Sequence, residues 1–164
     1  MKQQLIYTKQ NILKGAIIYS LGDTIASVML DQFLWIRLLG MLFIGATIYA
    51  FEIPNYFIWI DKKTAHLKGI NKSLNKTFLA IVYFNPLWIA RHLFFIKLFS
   101  QHYEAINMNL FTIAFWSFVV NIPISSIANY IIQNKIKLDW RFMASAIFSG
   151  LMAIYYAFSE SWFG

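Results

Sequence analysis

Residues 110–133 read LFTIAFWSFVVNIPISSIANYIIQ, without a single charged side chain. At about 1.5 Å of rise per residue, a helix of this length is long enough to cross the ~30 Å hydrocarbon layer of a bilayer. A barrel strand would alternate apolar and polar residues over about ten positions. This run is far longer and nearly unbroken. In lipid, only a helix satisfies the backbone of such a run from within. The stretch therefore predicts a transmembrane helix.

Four further apolar segments flank it, at 12–30, 36–60, 77–99 and 142–163. The connectors are short, and no linker, low-complexity tract or internal repeat separates them. Composition agrees. Hydrophobic residues make up 59% of the 164 and charged residues 13%, against roughly 25% charged in a soluble domain. A soluble protein this small has a large surface to cover with polar groups, and this chain lacks them. Aromatic residues reach 19%, as expected where Trp and Tyr gather at membrane interfaces. The expected fold is all-α: an integral membrane bundle of four to five transmembrane helices forming a single domain over residues 1–164.

The first segment is the weakest span, because Lys14 and Asp23 dilute it. A four-span reading lays it along the surface as an amphipathic helix. Lys2, Lys9 and Lys14 ahead of an apolar stretch also resemble a signal peptide. The interruption at Gly22-Asp23, with no small-residue cleavage site after a clean apolar run, favours a retained helix.

The formal net charge is +7. With five spans, one side of the membrane receives Lys2, Lys9, Lys14, Lys62, Lys63, Lys68, Lys72, Lys76, Lys135, Lys137 and Arg141. That leaves Arg37, Arg91 and Lys97 of the 14 basic residues. Basic loops stay on the cytoplasmic side, or the matrix side of a mitochondrion. The expected location is a bacterial inner membrane or a mitochondrial-type inner membrane, with the N-terminus on the cytoplasmic or matrix side. The basic residues lie in gaps between apolar runs and form no soluble basic face, so nucleic acid is not an expected partner. The lipid bilayer is.

Several chemistries lack their residues. There is no cysteine, which excludes a disulfide framework and a Cys-based zinc site. His66, His92 and His102 lie in three different places, and no metal-ligand spacing occurs. No nucleophile elbow or phosphate loop is present. The chain is expected to be no enzyme and to carry no metal or cofactor.

Polar groups inside the spans are the informative ones, because each is costly in lipid. Asp23 lies ~16 Å into the first span, Glu52 ~13 Å from the same side in the second, and Arg91 ~21 Å into the third. One Arg and two carboxylates could thus meet near mid-membrane, with His92 beside them. The expectation is a polar lining for a solute path or a buried pair that fixes helix register. The three prolines form a second pattern. Pro54, Pro86 and Pro123 all lie within spans, each close to an asparagine: Asn55, Asn85 and Asn121. Proline frees a carbonyl and kinks the helix, and an Asn amide can bond the freed oxygen. Small residues, among them Gly15, Gly22, Gly40, Gly45 and Gly150, with Ser125 and Asn129 in the fourth span, predict close helix packing.

In order along the chain, Gly22-Asp23, Arg37, Gly45, Tyr56-Phe57 before Ile60-Asp61, Lys76 before Phe84-Asn85-Pro86, and Arg141 before Tyr155, Tyr156 and Ser159 resemble a known family. It is the small peroxisomal and mitochondrial inner-membrane channel family, named after a peroxisomal membrane protein of twenty-two kilodaltons. The resemblance covers Gly15 to Ser159. It departs at Ala50-Phe51 and Pro54, at Ala80-Ile81 and at Trp116-Ser117. It implies a helical bundle that passes small solutes across an organelle or bacterial membrane. Gly22-Asp23-Thr24 and Arg37-Leu38 are also similar to small bacterial alanine exporters, more weakly. The functional expectation is a channel or transporter for a small polar solute, with Asp23, Glu52, Arg91 and His92 in or near its path. The alternatives are a small amino-acid exporter and a non-transporting assembly subunit. A second copy of the chain is a further candidate partner.

Overall fold

The computed structural model describes residues 5–163, with the side chains of 153 and 156–163 outside that description. Lys2, Tyr156 and Ser159, which entered the sequence reading, fall outside it. All elements among the described residues are helical: α1 (Lys9–Met29), α2 (Trp35–Ile44), α3 (Ala50–Lys63), α4 (Gly69–Tyr83), α5 (Pro86–Phe99), α6 (Asn109–Lys135) and α7 (Leu138–Phe163). Helices α2 and α3 join through one π-helical turn, Gly45–Tyr49, into a 29-residue span, and α4 with α5 forms a 31-residue span. Four spans among the described residues are long and apolar enough to cross a membrane, and α7 adds a fifth helix of 26 residues. The chain is a multi-pass integral membrane protein.

Each helix overruns its apolar segment at one or both ends. The fourth span runs Asn109–Lys135 rather than 110–133, and the third begins at Gly69 rather than 77. Lys and Asn at such ends keep their polar heads in the interface while the backbone ladder continues. Thr8 caps helix α1 just ahead of Lys9, its hydroxyl accepting from the Asn11 N–H at 3.2 Å. It is no surface helix: Tyr19, Asp23 and Ala26 on it are almost wholly buried.

The spans close into a ring. Helix α1 packs on α7 and on the second span, α2 on α5, α3 on α4, and α6 on α4, α5 and α7; α3 also reaches across to α7. Inside lie Met41, Tyr49, Ala50, Ile53, Phe57, Ile60, Ala80 and Ala114. Outside, Trp35 is 72% exposed, Leu87 66% and Ile127 65%. A surface this apolar has lipid as its solvent.

Small residues fix the crossings, as their positions predict. At Gly15 and Gly45 the two backbones touch, and a Cβ on either would collide with the other's carbonyl. A Cβ on Gly22 would lie 2.5 Å from the Gly150 Cα. In lipid no hydrophobic drive joins helices, so close backbone approach supplies much of the attraction.

Gly22→Ala is therefore expected to push α1 off α7. It should lower stability by about 1–3 kcal/mol, read as a fall in the thermal unfolding temperature in detergent.

Candidate functional site

Three tiers of charge cross the bundle. The start of α1 and the α3–α4 and α6–α7 connections share one end of it, the basic end.

At the far end, Asp23 of α1 meets Arg37 of α2. Arg37 Nε donates to Asp23 Oδ2 at 2.8 Å and Nη2 to Oδ1 at 2.6 Å, while Nη1 reaches Ser100 Oγ at 3.4 Å. The pair is buried, at 3% and 1% exposure. Such a fork matches the planes of both groups and is the strong form of a charge-assisted bond.

At mid-depth, Glu52 of α3 meets Arg91 of α5. Arg91 Nη1 donates to Oε1 at 3.0 Å and Nη2 to Oε2 at 2.7 Å; the Tyr83 hydroxyl donates to Oε2 at 3.0 Å. Here the pair is about one-third exposed. It borders a cleft of about 470 Å3 lined also by Tyr56, Asn85 and Trp88.

At the basic end, Asp61 of α3 is held by Arg141 of α7, whose Nη1 lies 2.8 Å from both carboxylate oxygens, and by Lys76 of α4. Arg141 Nε also donates to the Ile136 carbonyl at 3.0 Å.

The expected meeting of Asp23, Glu52 and Arg91 does not occur. Glu52 and Arg91 pair, but Asp23 turns to Arg37. Asp23 lies in the last two turns of α1 and Arg37 in the first turn of α2, so a short connection brings both to one level. His92 joins neither carboxylate. Its Nδ1 lies 2.9 Å from the Tyr49 hydroxyl, and its ring stacks on Trp88. Tyr49 in turn packs on Tyr19, with centroids 4.6 Å apart. These rings fill the bundle axis at mid-depth.

The prolines behave differently from one another. Pro86 frees the Val82 carbonyl, and Asn85 Nδ2 donates to it at 2.9 Å, as expected. Asn85 Oδ1 also accepts from the N–H groups of Leu87 (2.8 Å) and Trp88 (3.1 Å), so the residue caps a new helix at mid-depth. The third span is broken there, not merely kinked. At Pro54 the neighbouring Asn55 bonds Phe51 O and the backbone of Ile6 instead. Near Pro123, Asn121 Nδ2 donates to Ser125 Oγ and lies 3.0 Å from Met152 Sδ. The Asn121 amide does not reach the Val119 carbonyl that Pro123 frees.

Sequence reading did not find the partners of Asp23 and Asp61. Lys76 and Arg141 counted as sidedness charges and Arg37 fell outside that set, yet each of the three sits within a turn or two of a span end, where a Lys or Arg stem can reach inward. No group of His, Asp and Glu among the described residues could hold a metal ion. Comparison with family models, curated proteins and solved structures finds no match to the chain.

Removing one partner of the far-end pair leaves a lone buried charge, at a cost of about 3–5 kcal/mol. Asp23→Leu should therefore destabilise strongly in a detergent unfolding titration, and adding Arg37→Met should recover most of the loss.

Proposed function

We propose that the protein is a membrane transporter for small polar solutes that works by movement of helices, not through a fixed pore. One observation carries this reading: the third span is interrupted at mid-depth, at Phe84 and Asn85, beside the one-third-exposed Glu52–Arg91 pair. A broken helix at the bilayer midplane, with polar groups at the break, is the usual construction of a transporter site. The π turn of the second span contributes Tyr49, which packs on Trp88 just past the break. Tyr19, Tyr49 and Trp88 fill the axis there, so passage requires them to part.

The resemblance to the small peroxisomal and mitochondrial channel family supports only the coarser part of the proposal, passage of small solutes across a membrane. Five of the residues that carry it, Asp23, Arg37, Asp61, Lys76 and Arg141, pair among themselves in the two end tiers. The distribution of lysines supports an N-terminus on the cytoplasmic or matrix side of an inner membrane. An amino-acid exporter is a special case of the proposal, distinguished by saturation with one amino acid and a need for a gradient. A non-transporting assembly subunit is the rival class. The opening of the Glu52–Arg91 cleft on the flank of the bundle favours it, because a partner helix could cover that flank.

The test is solute flux into proteoliposomes with a panel that includes amino acids. Wild-type protein should accelerate uptake of at least one solute. Glu52→Gln combined with Arg91→Leu, which leaves no lone carboxylate, should cut that flux at least tenfold with thermal stability retained. Folded wild-type protein that moves no solute would overturn the proposal.

A further inference from the structure

Helix α6 carries Ser117, Asn121, Ser125, Asn129 and Gln133 at every fourth position. Positions four apart on a helix are neighbours, so the five form one ridge about 24 Å long, most of a bilayer's depth. Ser117 and Gln133 have no exposure, Asn129 2% and Asn121 4%; Ser125 is half-buried. None bears a charge. Pro123 interrupts the ridge midway, where the helix can flex.

Most of the ridge is hydrogen-bonded. Asn121 Nδ2 donates to Ser125 Oγ at 2.8 Å, Asn129 Nδ2 to Ser125 O at 2.9 Å, and the Tyr155 hydroxyl of α7 to Ser117 O at 3.1 Å. Gln133 is the exception. It is wholly buried, and neither Oε1 nor Nε2 has a partner. A buried amide without hydrogen bonds is costly and rare enough to require a reason. It supplies an acceptor and two donors at the basic end of the ridge.

We propose that this ridge is a further solute-contact surface, on the α6 side of the same path and closed in this structure, and that its ligands are small neutral molecules that hydrogen-bond, such as polyols. This rests on the transport reading above and names the solute class. Amides and hydroxyls replace the water around a neutral solute, and the ridge offers no charge to balance that of an ion. Gln133 is the first of the five that such a molecule meets from the basic end. Asn121, closed on Ser125 and Met152, blocks the way further on.

The chain has no cysteine, so single cysteines can be placed without background. Ser125→Cys and Gln133→Cys should react with a small, neutral, polar methanethiosulfonate reagent in proteoliposomes at least tenfold faster than lipid-facing Ile127→Cys. Excess glycerol should slow them. Glycerol flux should exceed that of sodium or chloride, and Gln133→Leu should cut it at least fivefold without loss of thermal stability. Ridge cysteines no faster than Ile127→Cys, or unchanged flux in folded Gln133→Leu, would reduce the ridge to helix adhesion and leave transport standing. Flux of ions alone would sink the solute class only. Flux of nothing would sink both readings.

Discussion

A carboxylate taken into hydrocarbon must bring its counter-charge with it. Asp23, Glu52 and Asp61 are the carboxylates within the four described spans, and each is met by a guanidinium through two oxygens or two nitrogens. Every pair joins different helices, so each also sets which helices are neighbours and at what height. Asp61, Lys76 and Arg141 tie three spans at one end. Asp23 and Arg37 tie two at the other. Apolar packing alone tolerates sliding, and these pairs do not, because a displaced charge would face lipid.

The same demand acts on the backbone. The third span breaks where a proline denies it one bond, and Asn85 supplies the replacement with one side chain acting as donor and acceptor. The second span answers differently. Its π turn lets the Ala50 N–H reach back to Gly45 O, which adds a residue to the turn and rotates the rest of the span about its axis. That rotation helps seat Tyr49 and Glu52 where they meet His92 and Arg91. Local irregularity and buried polar chemistry thus share the middle of the bundle.

The fold was legible because hydropathy over twenty residues is a strong signal that nothing else in the chain contradicts. The glycine crossings were legible too, since a residue without a side chain inside a span has few other uses. The pairing of Glu52 with Arg91 was legible in part, as one side of an expected three-way meeting, because an Arg stem can span the difference between depths of ~13 and ~21 Å. The pairing of Asp23 with Arg37 was not legible, because sequence cannot say which way an Arg stem near a helix start bends. The broken helix was hidden for a related reason: Asn-Pro reads alike in a kink and in a capped restart. The α6 ridge looked like packing, since Ser and Asn at every fourth place suit close contact as well as they suit a solute.

The glycine contacts divide the molecule. Gly15 joins α1 to the second span through backbone, and Gly22 joins α1 to α7 the same way. These three spans thus meet backbone to backbone. The third and fourth spans are fastened to them through side chains, among them two ionic bonds, Glu52–Arg91 and Asp61–Lys76. Any separation of the two halves would therefore have to break those two ionic contacts and slide α6 along α7, whereas the glycine seams would stay closed.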